Sequence, residues 1–118
     1  MFATRFEELD VWKNARSLCL MVITASRKHP FRADDVLRKQ MYRAALSVVS
    51  NIAEGFESRT GGLCREFFGR AKGSAGEVRA QVHIAKDLGY LDDATYRQLL
   101  DKARHCSAQI QRFMSQLR

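Results

Sequence analysis

The sequence is poor in the residues that interrupt or cross-link a chain. It holds one proline, Pro30, in 118 residues, so long stretches carry no residue that would break a helix from within. Its three cysteines, Cys19, Cys64 and Cys106, are odd in number, widely scattered and never spaced C-x-x-C. That argues against a disulfide framework and fits free, mostly buried thiols in a reducing cytoplasm. Long hydrophobic runs are missing too. The longest, Leu18 to Ile23, falls far short of the roughly 20 apolar residues that cross a bilayer. The first residues, Met1-Phe2-Ala3-Thr4-Arg5-Phe6-Glu7-Glu8, turn acidic early and hold no apolar core of a secretory signal. The expectation is a cytoplasmic protein without a membrane partner. With 46% hydrophobic and 28% charged residues, disordered, collagen-like and low-complexity classes are excluded. Residues 1–118 read as a single domain, large enough to bury a core without disulfide or metal staples.

What the chain does have is helical periodicity. Breakers at His29-Pro30-Phe31, Thr60-Gly61-Gly62 and Gly89-Tyr90-Leu91-Asp92-Asp93 divide it into four segments, none alternating with period two. Val11, Ala15, Leu18, Val22 and Ala25 recur at spacings of three and four in the first. Leu37, Met41, Ala45, Val48, Ile52 and Phe56 do so in the second, and Leu63, Phe67, Ala71, Ser74, Val78, Val82, Ala85 and Leu88 in the third. The fourth carries Tyr96, Leu99, Ala103, Cys106, Ile110, Phe113 and Leu117. Four amphipathic helices with short connections predict an all-α fold, an antiparallel up-down-up-down four-helix bundle. Thr4 with Glu7 predicts a capping box for the first helix. Asp34 and Asp35 mark the start of the second, Asp92 or Asp93 the start of the fourth, and Gly89 the end of the third.

Metal, nucleotide and catalytic chemistry find little support. A di-metal bundle needs Glu-x-x-His on two helices, but Ser26, Ala80 and Lys102 stand three residues before His29, His83 and His105. The run Gly69 to Gly76 has the wrong spacing for a phosphate loop, and no strand precedes it. No cofactor is expected. Gly62, Gly69, Gly73 and Gly76 instead fall on one helix face, where missing side chains would admit another helix, either within the bundle or from another subunit. Ser74 with Glu77 also resembles a capping box, so a helix break at Gly73 competes with a continuous third helix; the continuous helix is the reading preferred. On the second helix, Arg43, Ser47, Asn51 and Glu54 form a polar strip that Ser74 and Glu77 would face, with Arg43 pairing to Glu77 or Glu54. Such a network sets packing register. The alternative, Glu54 and Glu77 as a catalytic carboxylate pair, has no nucleophile, metal set or histidine beside it, and the chain reads as a non-enzyme.

Charge points toward anions. Twenty Lys and Arg against thirteen Asp and Glu leave a formal +7, most of it between residues 27 and 79. The candidate nucleic-acid contacts are Arg27, Lys28 and Arg32 around the first connection, Arg38 and Lys39 just after it, and Arg59, Arg65 and Arg70 around the second. They match no helix-turn-helix or RNA-recognition signature, and charge-driven backbone binding is the most they imply.

Two blocks carry a resemblance: Phe6-Glu7-Glu8-Leu9-Asp10-Val11-Trp12-Lys13-Asn14-Ala15, and Gln40 to Gly55 with its Ser50-Asn51-Ile52-Ala53-Glu54-Gly55 ending. Together with Ala71 to Glu77 and Leu88-Gly89-Tyr90-Leu91, they resemble the bacterial four-helix bundle proteins encoded in intervening sequences of 23S rRNA genes. That resemblance implies a ring-like homopentamer. It extends to the accessory variability determinant of diversity-generating retroelements, a basic pentamer that binds nucleic acid and a reverse transcriptase. It marks Arg43, Asn51, Glu54, Gly73, Ser74 and Glu77 as motif residues at packing or subunit contacts. Lys72 departs from the arginine common in the family, and Gly76 from a bulkier residue. A protein-binding scaffold with little nucleic-acid affinity of its own is the alternative function.

Overall fold

The computed structural model describes residues 3–58 and 60–117. Four helices follow in order: α1 (Asp10–Ser26), α2 (Asp35–Glu57), α3 (Gly61–Asp87) and α4 (Asp93–Ser115). Sequential helices pack side by side, and α4 closes back on α1, so the cross-section is a four-cornered ring. The connections are too short for anything but antiparallel neighbours. The molecule measures 44 × 23 × 19 Å, its long axis matching the roughly 40 Å of a 27-residue helix.

Each boundary has a local cause. The Asp34 carboxylate accepts from the Leu37 amide at 3.1 Å, Thr60 Oγ1 from Leu63 at 3.2 Å and Asp92 from Thr95 at 2.7 Å. Each satisfies an amide that the first helical turn leaves free. Gly89, at φ +79°, ends α3 in the left-handed conformation that glycine adopts without strain. The first helix departs from expectation. Glu8, not Glu7, gathers the Thr4 and Arg5 amides at 3.0 and 2.9 Å, and these cap a single 3₁₀ turn at Phe6–Glu8. Continuous α1 begins only at Asp10. The third helix runs unbroken through Gly73.

The predicted stripes form the core. Leu18, Val22, Met41, Ala45, Val78, Val82, Leu99, Ala103 and Cys106 pack around the centre of the bundle and the end holding the α1–α2 connection. Val11, Ala15, Val48, Ile52, Phe68, Ala71 and Ile110 fill the other end. Phe31, wholly buried, plugs the first end, stacked on Tyr90 with ring centroids 5.0 Å apart. The Tyr90 hydroxyl donates to Asp34 at 2.9 Å, tying both connections at that end together. Two stripe positions fail: Leu63 and Leu88, at the ends of α3, are 46% and 53% exposed because α3 outruns its neighbours. All three cysteines are buried and unpaired. Among the described residues, no helix is long and apolar enough to cross a membrane.

Candidate functional site

The polar strip on α2 resolves into a bound half and a free half. Ser74 Oγ donates to Ser47 Oγ at 2.9 Å across the α2–α3 seam, and Asn51 Nδ2 donates to the same oxygen at 2.9 Å and to the Ser47 carbonyl at 2.8 Å. These three side chains are the register lock expected of the strip. Arg43, Glu54, Gly73 and Glu77 are exposed instead. The Ser47–Ser74 bond puts Arg43 and Glu77 at one level of the antiparallel pair, yet among the described residues neither joins an ion pair, and neither does Glu54. Glu54 and Glu77 lie on opposite sides of that level, separated by roughly 15 Å of helical rise. They are too far apart to act as one catalytic pair.

The glycine reading also shifts. A Cβ added at Gly62, Gly73 or Gly76 would meet nothing within 4 Å, and one at Gly69 would only touch Met114 at 3.7 Å. Within the protomer that face admits no helix. The glycine that does is Gly55, where a Cβ would stand 2.7 Å from the Phe68 ring. Its place at the end of a resembling block hid its packing role, and no spacing rule singled it out.

The expected nucleic-acid contacts do not form one patch. Arg27, Lys28, Arg32, Arg38 and Lys39 sit at the end of the bundle holding the α1–α2 connection, while Arg65 and Arg70 sit in the first turns of α3 at the other. Arg59 lies outside the described residues. Several of these cations are already engaged. Arg38 donates to Asp35 at 2.6 Å, and its Nε is buried without a partner among the described residues. The same contact holds the Asp35 carboxyl below its ordinary range. Arg70 bonds Glu66 at 2.7 Å and lies over the Phe67 ring, and Arg65 bonds the Leu117 carbonyl at 2.6 Å.

A third basic region escaped the segment-by-segment charge tally. α1 and α4 share the least extensive contact of the four neighbouring helix pairs, and a groove of about 530 Å³ opens between them. Its floor is Leu20, Met21, Ala25 and Leu99, and its rim carries Lys13, Arg16 and Lys28 with no carboxylate. Farther along the seam Lys102 reaches Asn14 at 3.4 Å, and Asn14 donates to Gln109 at 2.6 Å. The signal was in the sequence: residues 11–33 contain five Lys or Arg and no Asp or Glu. Residues 1–26 hold three basic and three acidic side chains, and the acidic ones all fall before position 11, so a balance of zero concealed the cations of α1.

Comparison with known proteins places this bundle. Residues 7–112 match the family model of the 23S rRNA-intervening sequence proteins, nearly the whole chain. The chain belongs to that family. A solved structure from the S23 ribosomal protein family of Bacteroides thetaiotaomicron VPI-5482, itself of unknown function, superposes with a TM-score of 0.83. The match covers 89% of this chain and 95% of that one at 13% identity, a likeness of fold. No curated protein matches the chain. The bundle seen here is the fold of that solved structure, and Lys72 makes a single bond to Gln111 at 2.6 Å, where an arginine could fork.

Proposed function

We propose that this protein is a non-catalytic, self-associating bundle of the cytoplasm that binds structured RNA or DNA through the phosphate backbone. The observation that carries the reading is the formal +7 on a 13.5 kDa protomer whose surplus cations are surface residues. Each phosphate that an exposed Lys or Arg neutralises releases condensed counterions. Assembly into a ring would multiply such contacts. Self-association, a homopentamer by resemblance, is supported by the outer surface of α2 and α3. There Tyr42, Leu46, Ile84 and Leu88 are each about half exposed, alongside side-chain-free Gly73 and Gly76. Arg43, Glu54 and Glu77, which form no ion pair among the described residues, are suited to a neighbouring subunit.

Affinity for a structured RNA and a duplex DNA across a salt series tests the reading. Log affinity should fall linearly with log salt, steeply enough to count several phosphates. Flat or absent binding at about 50 mM salt, where screening is weak, would sink it. Light scattering should give a mass near five times 13.5 kDa, and a clean monomer would remove the ring. The same exposed apolar surface favours a second reading, a scaffold for a protein partner such as a reverse transcriptase. That reading expects poor nucleic-acid binding by the protein alone.

A further inference from the structure

We infer that the groove between α1 and α4 is where the phosphate backbone of the nucleic acid lies, with Lys13, Arg16 and Lys28 as its principal contacts. This rests on the nucleic-acid reading above and adds the site to it. Three observations support the groove over the other basic regions. Its lining carries no carboxylate, whereas Arg32, Arg38 and Lys39 at one end of the bundle and Arg65 and Arg70 at the other are interleaved in the chain with Asp34, Asp35 and Glu66. Among the described residues, its three cations form no ion pair, while Arg38, Arg70, Lys86 and Arg104 each have a carboxylate partner. Lys28 lies close enough to Asp92, at the end of α4 nearest the α1–α2 connection, to favour its charged form, yet among the described residues the two form no ion pair. Charge in the groove is therefore available to an incoming anion.

The third observation is shape. Lys13 to the end of α1 at Ser26 spans roughly 20 Å of helical rise, with Lys28 just beyond it. A duplex strand advances about 3.4 Å per phosphate along its axis, so that length covers about six phosphates. Thr24, Thr95 and Gln98 add neutral donors of the kind that bond phosphate oxygens between the cations. An acidic protein helix fits less well. Such a helix is held chiefly by apolar anchors one turn apart, whereas the three cations and the neutral donors of this lining match phosphate oxygens.

The test compares two triple variants of the full chain with equal loss of charge. One is Lys13→Gln, Arg16→Gln, Lys28→Gln. The other, Arg32→Gln, Lys39→Gln, Lys72→Gln, removes exposed cations outside the groove lining. All six positions are exposed, and helicity and unfolding midpoint check that both variants fold. With one structured RNA, the groove variant should lose about tenfold or more in affinity near 50 mM salt, and its salt slope should flatten by about two to three. The control should lose less than about threefold, and Lys13→Arg with Lys28→Arg should keep wild-type affinity. If the wild-type protein binds and the control loses as much as the groove variant, the groove assignment is overturned while the nucleic-acid reading stands. A wild-type protein that binds no RNA at low salt overturns both.

Discussion

The α2–α3 and α1–α4 seams lie on opposite sides of one bundle and are built differently. At the first, Ala44, Ala45, Gly55, Ala71 and Ala75 let two backbones approach, and Ser47, Asn51 and Ser74 fix their register through buried or half-buried hydrogen bonds. At the second, long polar side chains bridge a wider gap, Asn14 to Gln109 and Lys102 to Asn14, and a cation-rimmed groove remains open. Small residues make area and dispersion contact that stabilise the fold. Long charged residues hold the helices apart and leave their charge facing solvent. Stability and binding are thus divided between opposite faces, and a change at one should be felt little at the other.

The largest expected effect is on the tight seam. Phe68→Ala removes a fully buried ring stacked on Phe113 with centroids 4.3 Å apart, and should cost about 3–5 kcal/mol in denaturant unfolding. Gly55→Val comes next, at about 1–3 kcal/mol, because its side chain must displace the Phe68 ring. Between the seams, burial pushes the Cys106 thiol up to about 11 from an ordinary 9.0. The folded state then holds that proton more tightly than the unfolded state does. The resulting stability is complete below about pH 8.5 and is lost as pH rises toward 11. A pH series of unfolding midpoints should decline more steeply for the wild type than for Cys106→Ala over that window. Gly73→Ala and Gly76→Ala should each stabilise the protomer by about 0.5–1 kcal/mol, since both sit in helix interiors with open space at the Cβ. Smallest of all, Leu20→Ala on the groove floor should change stability by less than about 0.5 kcal/mol. A cost like that of Phe68→Ala would show the open seam to be structural after all.

Much of the tight seam was legible in the chain. Apolar spacing gave four helices and nearly every buried stripe residue, because one face of each helix must be removed from water whatever its neighbours are. The starts at Asp34 and Asp92 follow from local hydrogen bonding, while Thr60, read only as part of a breaker, also caps its helix. Gly55 was not legible, since its requirement comes from Phe68, thirteen positions away and on another helix. The glycine run on α3 has no packing partner within the protomer, which leaves a contact with another subunit as the reading of that face. The groove was missed because charge was summed by segment, whereas a ligand meets charge by face. Glu7, Glu8 and Asp10 cancelled Lys13 and Arg16 in the sum but not in space, lying at or before the first turn of α1.

Lysine acetylation footprinting with and without a bound structured RNA tests the division of labour most directly. The chain has six lysines, and Lys13 and Lys28 line the groove while Lys39 and Lys72 lie outside it. RNA should protect Lys13 and Lys28 and leave Lys39 and Lys72 as reactive as in the free protein. Protection of Lys39 and Lys72 with Lys13 and Lys28 still reactive would contradict the account.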